Sequence, residues 1–127
     1  MIGKNNPLNI RYSKKNNWKG QIGQTRGFCD FSDVEYGIRA CLYLLKKSYK
    51  KRGLLTYGEL IKAYAPPTEN NTQRYISYVC DKCCVSPWER PVIRLEWVEL
   101  VYHMSIFEGN EVSIPNIFKC YNKYFKD

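Results

Sequence analysis

Two groups of residues in this 127-residue chain have types and spacing suited to chemistry. The first lies near the front, where Asn5-Asn6-Pro7-Leu8-Asn9-Ile10-Arg11-Tyr12 is followed by Asn17-Trp18-Lys19-Gly20. Asparagine amides beside flat aromatic faces make a surface suited to a sugar. Asn6, Asn9, Arg11, Tyr12 and Trp18 are the candidate contacts. The alternative is a loop that caps the core, with Trp18 simply buried. The second group ends an apolar-periodic stretch, His103-Met104-Ser105-Ile106-Phe107-Glu108-Gly109-Asn110. A glutamate in a last helical turn meets the negative end of the helix dipole, a place helix propensity would not choose. That dipole, with Ile106 and Phe107 alongside, should raise the pKa of Glu108 and keep it protonated, as a general acid requires. The competing reading is a solvated glutamate at a frayed helix end, with Glu111 nearby.

The elements that position these residues can be read in order. Asn-Pro and paired asparagines favour turns, so the chain should open as a shaped loop. Trp18 to Gly23 and Arg26-Gly27-Phe28 suit a short irregular hairpin. Ser32-Asp33-Val34-Glu35 reads as a capping box and starts a helix. That helix should run from about Asp33 to Arg52, with Val34, Ile38, Cys41, Leu42, Leu45 and Tyr49 on one face, until Gly53 stops it. Thr56-Tyr57-Gly58-Glu59 is a second capping box, opening a short helix that Pro66-Pro67 ends. A polar loop from Thr68 to Thr72 then leads into a third helix bearing Tyr75, Ile76, Val79, Cys80 and Cys83. A fourth helix spans about Arg94 to Phe107, with Leu95, Val98, Val101, Tyr102 and Ser105 on one face. The last is capped by Ser113, has Pro115 in its first turn, and carries Ile117, Phe118 and Tyr121. The expected fold class is mainly α (α+β), a single domain over residues 1–127 with a small N-terminal hairpin lobe.

Several motifs here resemble known proteins. Asn-Asn-Pro-x-Asn-Ile-Arg, Trp-x-Gly, aromatic-x-x-Phe and Glu-Tyr-Gly-Ile-Arg-Ala look like a family of phage and prophage proteins with a lysozyme-like fold. The likeness continues through Tyr64-Ala65-Pro66-Pro67 to Tyr75, and so covers roughly residues 5–85. More remotely, the pattern is similar to flagellar and autolysin-type glucosaminidases and to lytic transglycosylases. The resemblance implies cleavage of peptidoglycan glycan strands, with no cofactor and no metal. It implies that Tyr64 matches the tyrosine of a Tyr-Ala-Thr-Asp-Pro motif and stabilises charge near the scissile bond; core packing is its other reading. In those glucosaminidases the helix bearing the catalytic glutamate precedes the Asn-rich loop, whereas here only four residues do. The expectation that follows is a circular permutation, with residues 94–110 as the catalytic helix packed on the lobe of residues 5–37. The ending at Glu108 is similar to the Glu-Ser-Gly or Glu-Gly-Asn ending of lysozyme-like enzymes. Asp30 and Glu35 are the nearest candidates for a second carboxylate, Glu35 doubling as a cap. A lone acid would suit assistance by the sugar's own N-acetyl group or a lytic transglycosylase reaction.

Composition sets the remaining bounds. Net charge is +8, from 20 Lys and Arg against 12 Asp and Glu. That excess suits acidic partners, whether wall polymer, anionic lipid or nucleic acid. Much of it lies at Lys14-Lys15 and at Lys46, Lys47, Lys50, Lys51 and Arg52, the latter cluster also complementing a helix C-terminus. No recognised DNA-binding motif is present, so a nucleic-acid module is the weakest reading. No apolar run reaches the ~20 residues of a membrane helix. The polar start predicts no signal peptide, so a virion, a holin-type pore or a secretion machine would carry the protein to the wall. A virion structural or wall-binding protein without catalysis is the main rival. Six cysteines include Cys80-x-x-Cys83, but no second such pair accompanies it and His103 is the sole histidine. Buried thiols in a reduced protein are expected rather than a zinc site.

Overall fold

The structure, a computed structural model, describes residues 1–68 and 70–126; Glu69 of the expected polar loop and the terminal Asp127 lie outside them. It is mainly α with one small antiparallel sheet. β1 (Gln21–Thr25) and β2 (Phe28–Phe31) are followed by α1 (Val34–Tyr43), a π-helical segment (Leu44–Ser48) and one turn, α2 (Tyr49–Lys51). Then come α3 (Tyr57–Tyr64), α4 (Thr72–Cys83), α5 (Arg94–Phe107) and α6 (Ile114–Tyr124).

The opening loop owes its shape to its asparagines. Asn5 and Asn9 both take the left-handed conformation, at φ 54° and 53°, which asparagine tolerates better than most residues. The Asn5 amide donates to Phe31 O at 2.9 Å. Asn6 is fully buried. Its amide donates to Ile10 O and Cys29 O at 2.9 Å each, and its oxygen accepts from Ile10 N at 2.8 Å. The loop's buried peptide groups are thereby satisfied by a side chain, Ile10 O also accepting from Cys29 N at 2.9 Å. The hairpin turns through Arg26 and Gly27, both at positive φ, the geometry of a two-residue primed turn that follows the strand twist. A register shift between Gln21 and Gly23 bulges β1. Arg11 forms an isolated bridge to Phe28, which joins the loop to the hairpin.

Helix starts follow their local chemistry with one correction. Asp33, not Ser32, caps α1, its carboxylate accepting from Glu35 N at 2.9 Å. Glu35 does not close the expected box, because its carboxylate turns to α6 instead. At α3 the box is complete: Thr56 Oγ1 accepts from Glu59 N, and Glu59 Oε1 accepts from Thr56 N, each at 3.1 Å. Ser113 caps α6, as its sequence suggests. The expected continuous first helix contains the π segment, a wider turn that sequence periodicity does not mark. At Gly37 an added Cβ would lie 2.5 Å from Asn5 O, so the absence of a side chain lets the loop seat against α1.

One hydrophobic cluster runs from Leu8 and Phe31 through α1, α3 and α4 to α5 and α6. α5 packs against α1, α4 and α6, so more than one of its faces is covered. Leu100 and Met104 are therefore fully buried beside Val98 and Val101. Leu95, expected on the inner face, is 46% exposed, because the first turn of α5 extends past the packed part.

Candidate functional site

α5 ends in a Schellman motif. Glu108 is the C-cap, Gly109 takes φ 87°, Gly109 N donates to Ile106 O and Asn110 N donates to Ser105 O, both at 2.9 Å. Glycine at the left-handed position lets the chain reverse directly after Glu108. The ending is held against the opening loop by two amides. Asn9 Nδ2 donates to Glu108 Oε1 at 2.8 Å, and Asn110 Nδ2 donates to Pro7 O at 3.2 Å. From the other side Phe107 stacks on Tyr75 of α4, with ring centroids 4.2 Å apart, which fixes where the helix stops.

The half-buried Glu108 carboxyl lines a cavity of about 350 Å³, together with Asn9, Arg11, Trp18, Tyr64 and Asn70 among others. Burial raises its pKa from the ordinary carboxylate value. The Asn9 hydrogen bond, the nearby Tyr75 hydroxyl and the Arg11 charge oppose that rise without cancelling it. The Tyr75 hydroxyl lies beside the carboxyl group but outside the geometry of a formed hydrogen bond. The outcome is a carboxyl that holds its proton more tightly than a free one, at the wall of a cleft.

Two residues of the cavity wall carry polar atoms without a partner. Asn9 Oδ1 and Trp18 Nε1 are buried and make no hydrogen bond within the protein. Such atoms forgo about 1–3 kcal/mol each unless something else pairs with them. Trp18 is held edge-on by Tyr43, at a centroid distance of 5.8 Å. The Arg11 guanidinium stacks over Phe28 at 4.9 Å.

The remaining candidates are placed elsewhere. Asn6 is sealed inside the loop and has no open face for a sugar. Tyr12 is exposed but does not line the cavity. Tyr64 does line it, but its hydroxyl donates to Leu8 O at 2.6 Å and burial raises its pKa well above the usual range. It braces the loop rather than presenting a free hydroxyl. Asp30 accepts from Lys4 N at 2.7 Å and from Thr25 Oγ1 at 2.8 Å, which closes the hairpin. Glu35 pairs with Lys123 Nζ at 3.1 Å and Tyr124 OH at 3.0 Å; the Lys123 hydrogen bond leads the lowering of its pKa. Neither Asp30 nor Glu35 lines the cavity, and among the described lining residues Glu108 is the sole carboxylate.

Tyr75 was not foreseen as a site residue. In sequence it is one aromatic on the apolar face of α4, and nothing distinguishes it from core. No group of His, Cys, Asp and Glu among the described residues is arranged to hold a metal ion. The cysteines are all free thiols; Cys29, Cys41, Cys80 and Cys120 are buried.

No protein-family model matches the chain. It is similar to Protein P5 of Pseudoalteromonas phage PM2, 34% identical over 82 residues, which is 61% of this chain and 51% of that protein. The chain thus spans about half the length of this relative, and the similarity is to a phage protein.

Proposed function

We propose that the protein cleaves the glycan strands of peptidoglycan, as a phage- or prophage-type enzyme of lysozyme-like, circularly permuted fold with Glu108 as general acid. The observation that carries this reading is the Asn9–Glu108 contact at 2.8 Å, which holds a carboxyl of raised pKa at the end of a core helix inside a cleft. Glu108 donates its proton to the bridging oxygen as the C1–O bond breaks. Asn9, Arg11 and Trp18 line the same cavity and would flank the bound sugar. With Glu108 the sole carboxylate among the described lining residues, charge at C1 is met by the sugar's own N-acetyl group or by an internal hydroxyl. The glutamate left behind then takes the proton of the attacking water or hydroxyl. The phage relative suits delivery to the wall by a virion.

A second reading is a virion or wall-binding protein that keeps the cleft without catalysis. It is favoured by the lack of a second carboxylate among the described lining residues. Digestion of purified peptidoglycan by wild type and Glu108→Gln, with released fragments analysed by mass, separates the two. Fragments from wild type alone support the enzyme, and anhydro ends indicate the lytic reaction. Equal release by both proteins overturns Glu108 as the acid. No release, with retained co-sedimentation on peptidoglycan, supports the binding protein.

A further inference from the structure

A second surface combines exposed aliphatic side chains with a cationic rim. The connection from α4 to α5 runs over the N-terminus of α3, where Gly58 N donates to Pro87 O and Tyr57 N to Glu89 O, at 2.8 and 2.9 Å. This anchorage holds the following residues outward: Val92 is 68% and Ile93 58% exposed, with Trp88 at 76% before them and Leu95 at 46% after. Val92 and Ile93 line a groove of about 640 Å³ shared with Lys47, Lys50, Arg90 and Lys126. The carboxylates of the same stretch face its own backbone: Glu89 accepts from Ser86 N, and Glu96 from Val92 N and Ile93 N. Cations therefore dominate the rim while aliphatic tips project from its wall.

We propose that this face docks peripherally on an anionic lipid bilayer. Val92 and Ile93, with Trp88 and Leu95 beside them in sequence, enter the headgroup–acyl boundary, and Lys47, Lys50, Arg90 and Lys126 meet lipid phosphates. The charge pattern fits because basic residues beside exposed apolar ones satisfy both layers of an anionic interface at once. A polynucleotide would meet the cations but leave the aliphatic tips in water. No helix among the described residues is long and apolar enough to cross a membrane, so the contact is at the surface. The docking is independent of glycan cleavage.

The test is co-sedimentation with vesicles of phosphatidylglycerol and phosphatidylcholine, against phosphatidylcholine alone, at low and high salt. Expected are binding to the anionic vesicles, weakening as salt screens the rim, and a blue shift of tryptophan emission that Trp88→Phe abolishes. Lys47→Ala with Lys50→Ala should weaken binding on the order of tenfold. Val92→Ser with Ile93→Ser should weaken it comparably, with far-UV circular dichroism confirming that both variants fold. Absence of binding to anionic vesicles overturns the proposal. So does binding that ignores the aliphatic variant and leaves tryptophan emission unshifted, since that marks a patch for soluble polyanions or an acidic protein.

Discussion

The amide of Asn9 donates to Glu108 Oε1 at 2.8 Å across a sequence separation of 99 residues. This bond fastens the left-handed turn of the opening loop to the C-cap of α5 and sets one carboxyl oxygen at the cleft. It favours the ionised form of Glu108 and so opposes the effect of burial. The hold that burial gives Glu108 on its proton is thus weakened by a residue from the opposite end of the chain.

Removing that amide should therefore raise the Glu108 pKa further. Asn9→Gly retains the positive-φ backbone, whereas Asn9→Ala adds about 1 kcal/mol of left-handed strain. An NMR titration of the carboxyl carbon should show the same upward shift in both variants, with the larger stability loss in Asn9→Ala. If cleavage is confirmed, the limb of the pH–rate profile that reports the acid should move upward with it. An unmoved pKa would show that the contact has no electrostatic role.

The raised pKa of Glu108 links stability to pH. The folded state holds this proton more tightly than the unfolded state, so the group's favourable contribution is complete below the ordinary carboxylate pKa. It is lost as pH rises through the raised value. Glu108→Gln keeps an oxygen that can accept from Asn9 and removes the ionisation. The variant should melt above wild type at about pH 8, with the advantage fading towards about pH 4. Melting curves at the two pH values check this, and a constant difference would contradict it.

Asn6 predicts a large stability effect without a cleft contact. Asn6→Ala abolishes three buried hydrogen bonds; Ile10 N and Cys29 O lose their side-chain partner, while Ile10 O keeps only the bond from Cys29 N at 2.9 Å. The expected loss in urea unfolding is ~3 kcal/mol or more. A near-neutral result would mean that water replaces the amide inside the loop.

Thiol reactivity should divide the cysteines. Cys84 is exposed at the left-handed end of α4 and should react quickly with Ellman's reagent. Burial pushes Cys29 up to about 11 and leads the rise of Cys83 and Cys120 to about 12, which withholds their thiolates at neutral pH. One fast thiol in the native protein, and all six after unfolding, is the expected count. Several fast native thiols would show that the core opens locally.

What was legible in the sequence was mostly local. The Thr56–Glu59 box, Ser113 as a cap and the end of α5 follow from interactions spanning three or four residues. The mainly α architecture with one hairpin follows from the same signals. Of the two asparagines that the sequence offers as sugar contacts, Asn9 lines the cavity, whereas the Asn6 amide binds its own backbone. A residue type cannot declare whether its partner is a peptide group or a sugar. Tyr75 was hidden because a site aromatic and a core aromatic have the same helical spacing. The π segment was hidden because Leu45 and Tyr49 fit an α-helical stripe, although Leu44 and Tyr49 also line the cleft.

The clasp of Asn9 on Glu108 and of Asn110 on Pro7 also bears on the order of folding. Hairpin and helices can form from short-range contacts, but this junction closes a loop that takes in most of the chain, and its closure entropy is correspondingly large. The cleft is thus a late product of folding. A chain that held each helix without this junction would still lack the pocket around Glu108.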